Sequence, residues 1–194
     1  MEQVRIISGD SPENVREQIR RDFTENPEVF DYSAVIEQDG RSITLDVDID
    51  LGGGFEGGYA LTRFTSGLKS FDDLHFSIHH QGLLDGIGKL FGIQDVDLGY
   101  PEFDRKIVIK TNHPDRLKEI FSDTQVRGTI RSLPEFTFHI GHHHSANTHV
   151  ESAFLELRID EAITEPDRLY EIYKAFSVVL DKLEFEAGSI MKHL

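Results

Sequence analysis

Along much of the chain apolar and polar residues alternate. Between those stretches lie others in which apolar residues recur with helical spacing. A period of two marks a strand with one buried face, and a period near 3.6 marks an amphipathic helix. Val4–Ile7 reads as a short strand. Ser11 then caps a helix with Pro12 and Glu13 in its first turn and Val15, Ile19 and Phe23 along one stripe, until Asn26-Pro27 breaks it. Tyr32–Gln38 and Arg41–Asp50 flank Asp39-Gly40, a strong hairpin signal. Tyr59–Thr65 and Leu74–His80 alternate as further strands. Leu83, Leu84, Ile87, Leu90 and Phe91 have helical spacing, although Gly82, Gly86 and Gly88 weaken a helix there.

The stretch Leu90–Phe121 is the most informative. Gly92, Gly99 and Pro101 frame a loop, after which FDRKIVIKT alternates and predicts a strand from Phe103 to Thr111. Asn112 is placed to cap the next helix, with Pro114 in its first turn and Leu117, Ile120 and Phe121 on one face. Ser122 or Asp123 can cap a short helix through Arg131. Glu135–His142 and His149–Asp160 read as a second hairpin. Thr164 then caps a long helix whose apolar face includes Leu169, Ile172, Phe176, Val179 and Leu183. The two helix starts Pro114–Phe121 and Pro166–Tyr173 are identical at six of eight positions. Either both use one common solution for starting a helix, or two β-α units are related by duplication.

The run Gly92-Ile93-Gln94-Asp95, Gly99, Phe103-Asp104, followed by a strand and Asn112, resembles a G-x-Q-D-x-x-x-G-x-x-x-F-D pattern of uncharacterised bacterial proteins with no known activity. It covers about a sixth of the chain. The resemblance implies a common fold and carries over no functional residues. Hairpins in succession with helices between them indicate an α+β fold. The expected architecture is an antiparallel or mixed sheet with helices packed on one face, in a single domain over residues 1–194.

Charge narrows the partners. The chain has 35 acidic and 20 basic residues, a formal net charge of −15. That field repels nucleic acid and anionic membranes, leaving a protein partner, a small ligand or a homo-oligomer as the expected associations. No cysteine is present, which excludes disulfides and thiolate metal sites and fits a reducing compartment. The start MEQVRIISGD has neither the basic nor the apolar segment of a signal peptide, and no apolar run is long enough to span a bilayer. A cytoplasmic protein is expected.

Candidate chemistry is sparse. Asp46, Asp48 and Asp50 follow D-x-D-x-D, but Leu51 and Gly57 stand where a calcium loop needs Gly and Glu, and strand alternation accounts for the spacing. Gly52, Gly54 and Gly57 match G-x-G-x-x-G, yet the next residues alternate as a strand, so the helix that binds a dinucleotide is missing. Asp95, Asp97, Glu102 and Asp104 crowd the central loop near His113 and are candidates for acid-base work. Arg63, Arg105, Arg127 and Arg131 are candidates for an anion site. The histidines are the one concentrated signal. His139, His142, His144 and His149 surround one turn, and neutral imidazoles suit zinc or another divalent transition metal. The reading is a non-enzymatic domain that binds a protein partner or small ligand and needs no cofactor. The alternative is a metal-binding protein or metal-dependent enzyme using the His139–His149 loop.

Overall fold

The computed structural model describes residues 5–9, 11–25, 31–52, 57–69, 73–80, 95–144 and 151–190. The elements are β1 (Arg5–Ser8), α1 (Pro12–Glu25), β2 (Asp31–Gln38), β3 (Arg41–Asp50), β4 (Tyr59–Gly67), β5 (Phe76–His80), α2 (Pro101–Asp104), β6 (Ile107–Thr111), α3 (Pro114–Ile120), α4 (Thr124–Arg131), β7 (Phe136–His144), β8 (Glu151–Ile159) and α5 (Pro166–Ile190). The glycine-punctuated stretch around Leu83–Phe91 lies outside the described residues.

The strands form one eight-stranded sheet in the order β1-β2-β3-β4-β8-β7-β5-β6. Every pairing is antiparallel except β1 with β2, which α1 connects. The sheet is therefore mixed, and its helices lie on one face, as the pattern predicts. Alternation dictates that face. Ala34, Leu45, Phe64, Leu157, Phe138, Ile78 and Ile109 stand opposite one another in register across β2 to β6, and all are buried. On this row rests α5, with Phe176 against Phe64 and Phe138, while Phe121, just after α3, meets Phe76 and Phe138 edge-on.

Local chemistry fixes the joints. Asp39 and Gly40 both have positive φ, 51° and 71°, the backbone of a two-residue hairpin whose twist matches its strands. Asp123 is the cap of α4 and accepts from the amides of Gln125 and Val126. At the C-terminus of α3 the open carbonyls receive cations. Arg127 donates to the carbonyls of Phe121 and Ser122, and Lys182 donates to those of Glu119 and Ile120.

Three expectations are corrected. The strand predicted from Phe103 begins only at Ile107, because the Asp104 carboxylate gathers the amides of Leu98, Gly99 and Tyr100 at 3.2, 3.0 and 2.8 Å. That turns the chain into α2 and buries Phe103 against Phe121. Gly99 sits in the turn with φ of 81°, which explains why glycine precedes this pair. Asn112 does not cap α3. The cap position is His113, and the Asn112 side chain reaches instead across to the main chain of Asp73 and His75. Thr164 lies two residues before α5, which starts at Pro166, and it is the Glu165 carbonyl that accepts the first helical bond, from the amide of Leu169.

The two helices with matching starts bury the same positions, Leu117, Ile120 and Phe121 in one case and Leu169, Ile172 and Tyr173 in the other. The strands before them, β6 and β8, run in opposite directions, since three antiparallel pairings separate them. Burial accounts for the shared Leu and Ile, while Pro and the acidic residue of the first turn suit any helix start. Among the described residues no helix is long and apolar enough to cross a membrane.

Candidate functional site

The face of the sheet away from the helices carries the second set of alternating side chains. On β2, β3 and β4 that set is polar and paired. Asp46 accepts from Ser33 and Arg63, Asp48 accepts from the Tyr59 hydroxyl, and Asp50 caps the amide of Gly52. The D-x-D-x-D carboxylates are thus distributed among protein partners along one strand.

On β5 and β7 the same face behaves differently. Ser77 stands directly opposite His139, and His79 opposite Thr137, so the two histidines and the serine form one cluster. Ser77 and His79 are buried, at 0% and 5% exposure, although no helix among the described residues covers this face. Ser77 Oγ, His79 Nε2 and His139 Nδ1 are each buried without a hydrogen-bond partner. His79 Nδ1 lies 3.0 Å from the carbonyl of His80, so Nδ1 carries the proton and Nε2 presents a lone pair. Burial pushes the His139 imidazole below its ordinary range, while Glu156, opposite it on β8, pulls the other way. Beside them the Phe154 ring lies across Gly141. A Cβ on Gly141 would come within 2.3 Å of that ring, so glycine is what lets the aromatic ring lie flat there.

Of the proposed histidine ligands, the two whose side chains are described, His139 and His142, do not share one site. His139 and His142 are three residues apart on a regular strand and project to opposite faces. His142 meets His75 instead, with Nε2 and Nδ1 3.2 Å apart. Of His144 the backbone is described, paired with Glu151, and His149 lies outside the described residues. Among the described residues no group of three or more histidine, aspartate or glutamate side chains is arranged to hold a metal ion.

The acidic loop is also dispersed. Asp104 is occupied by three amides, Glu102 pairs with Arg127, Asp95 approaches Lys110, and His113 pairs with Asp73. The four arginines do not converge. Arg63 is on β4 with Asp46, whereas Arg127 and Arg131 both reach Glu102 from α4. Sequence reasoning found His139 but missed Ser77 and His79. The signal was present in FSIHH, where polar residues take the second face of a strand whose first face is Phe76 and Ile78.

A cleft of about 510 Å³ lies between α4 and α5, with Gly128, Thr129, Arg168 and Val178 in its lining. Arg168 is held there by Ser132 and Glu171.

No protein-family model matches the chain, and no curated protein does. The structure is similar to the crystal structure of the mycobacterial trehalose monomycolate transport factor A, TtfA. The TM-score is 0.48 at 10% identity, over 86% of this chain and 82% of that one.

Proposed function

We propose that this protein is a non-catalytic binding domain. On this reading it holds a small polar molecule, one offering hydroxyl or N–H donors, over β5 and β7 on the face of the sheet opposite the described helices. The observation that carries the reading is the grouping of Ser77 Oγ, His79 Nε2 and His139 Nδ1, all buried and all unpartnered. A buried polar atom without a partner costs about 1–3 kcal/mol. Holding such atoms side by side is a standing cost to the fold that an occupant would offset.

The same atoms argue against nucleophilic catalysis. A serine nucleophile needs its hydroxyl hydrogen-bonded to a base. Ser77 faces His139 across the strand pair, yet neither Ser77 Oγ nor His139 Nδ1 makes that bond. What is left is recognition. His79 offers a fixed lone pair, His139 is held neutral by burial, and Ser77 can turn its hydroxyl either way.

Native mass spectrometry of tag-free protein tests the reading. A small molecule should accompany the wild-type chain and be lost from Ser77→Ala and His139→Phe. Those variants should keep or gain thermal stability, because each removes an unpaired buried group. Wild-type protein without a bound mass, together with variants destabilised by about 1–3 kcal/mol, would make the cluster structural.

A further inference from the structure

We infer that the cleft between α4 and α5 binds a small organic carboxylate, one with a charged head and a short apolar body. The cleft lies in the helix layer, on the other side of the sheet from Ser77, His79 and His139, so the inference is independent of the ligand proposed above. The two helices run antiparallel here. Ser132, at the C-terminus of α4, accepts from Arg168 in the first turn of α5 at 2.6 Å. Ser122, just before α4, accepts from Lys182 further along α5 at 2.8 Å. The groove between them has a volume of about 510 Å³, within the roughly 300–1,000 Å³ usual for small-molecule sites. Its floor is apolar, with Val126 and Ala175 buried and Val178 half-buried.

The charges around that floor select the head group. The lining carries two acidic and two basic residues, in a chain of 35 acidic and 20 basic ones. Both acids are committed. Asp123 accepts from the amides of Gln125 and Val126 as the cap of α4, and Glu171 accepts from Arg168. The bases keep capacity. Ser132 and Glu171 each take one nitrogen of the Arg168 guanidinium, which fixes its position and leaves further N–H donors for a planar anion. Lys174 forms no ion pair among the described residues, and its ammonium stands 5.8 Å from the centre of the Tyr170 ring. A carboxylate in the cleft therefore meets two cations and no uncommitted acid.

Gly128 is a second and independent sign of an occupant. It sits inside α4, where glycine weakens a helix relative to alanine. Its φ is not positive, and a Cβ built on it meets no described atom within 4 Å. Neither backbone conformation nor packing calls for glycine here. What the missing side chain does is leave bare backbone on the wall of the cleft, where a bound molecule can approach closely. The carboxylate's head lies at Arg168 and its apolar body runs past Gly128 over Ala175 towards Val178. Arg168 to Val178 is about 15 Å along α5, room for a chain of several carbons.

The test is titration of the full chain with sodium octanoate, followed by amide chemical shifts, with octan-1-ol and octylammonium as probes of equal length. Octanoate should shift the amides of Gly128, Thr129 and Ala175 saturably. Octan-1-ol should bind about tenfold more weakly, for want of the charged hydrogen bonds, and octylammonium should leave these amides unmoved. Arg168→Gln should weaken octanoate by about tenfold. Gly128→Leu places a good helix former in the cleft, so octanoate binding should vanish while Tm stays level or rises. Arg168→Gln carries the test alone if Gly128→Leu does not fold. No shift at the three amides, equal affinity for octan-1-ol, or unchanged octanoate affinity in Arg168→Gln would overturn the site and leave a surface groove between two helices.

Discussion

Arg127 has 7% of its surface exposed, and nearly all of its donors are committed. It serves the carbonyls of Phe121 and Ser122, reaches Thr124 and Glu102, and lays its guanidinium 3.7 Å from the centre of the Tyr100 ring. A buried arginine here closes the C-terminus of α3 and ties it to α2 and α4. Arg127→Met should cost about 2–3 kcal/mol in urea denaturation, because buried carbonyls lose their donors. Arg127→Lys should recover little of it, since an ammonium lacks the planar fork and the stacking surface. A loss below about 0.5 kcal/mol for both would mean that water replaces the guanidinium. His139 sets a second test at this scale. Burial holds its folded-state pKa below the ordinary value near 6.5, so the unfolded chain takes up a proton that the folded chain resists. The stability linked to His139 is whole above about pH 6.5 and is lost as pH falls towards the depressed folded value. His139→Phe should therefore melt with a shallower decline between about pH 7 and pH 5 than the wild type. Parallel melting curves would show that the imidazole titrates freely in the fold.

Among the elements, α5 contributes most to the core. It packs on α1, α3, α4 and β4, and its Phe176 is fully buried between Phe64 and Phe138. Phe176→Ala should cost about 3–5 kcal/mol in thermal or urea unfolding, the usual range for emptying a buried aromatic site. A cost near 1 kcal/mol would mean that the helix layer collapses into the space. This helix was legible in the sequence because its stripe is wide and long. The Asp39-Gly40 hairpin was legible because only a few residue pairs accept two positive φ angles. The helix α2 was not legible. Its FDRK segment continues the alternation of β6, and the force that turns it, three amides meeting one carboxylate, is local geometry that periodicity does not encode. Sheet order was hidden for a different reason. Pairing β4 with β8 and β5 with β7 joins distant stretches, and side-chain alternation says which face is buried but not which strand is next. The candidate sites inherit that limit. His139 and His142 could be singled out from the sequence, but Ser77, His79 and His75 reach them only through the β5–β7 pairing.

At the scale of the whole molecule the excess of negative charge acts against the pairs that join the layers. Arg16 and Arg20 on α1 both reach Asp167 at the start of α5, at 2.9 and 2.8 Å, and lower its pKa. These groups are exposed, so each such pair stabilises the fold little and weakens with salt. The formal charge of −15 contributes in the opposite sense, since self-repulsion of a compact acidic chain is relieved by the same screening. The repulsion is summed over the whole surface, whereas the attractions are a few local contacts, so screening should help more than it harms. Raising sodium chloride from roughly 0.05 to 0.5 M at pH 7 should therefore raise Tm by about 2–4 °C, the shift that about 1 kcal/mol produces in a chain of this size. Sulfate is unsuitable for the test because its exclusion from protein surfaces stabilises folds regardless of charge. A fall in Tm with chloride would mean that the clamp at Asp167 and its counterparts outweigh the net field. In that case Asp167→Asn should remove the salt dependence, and the acidic surface would have to be explained by what the protein binds.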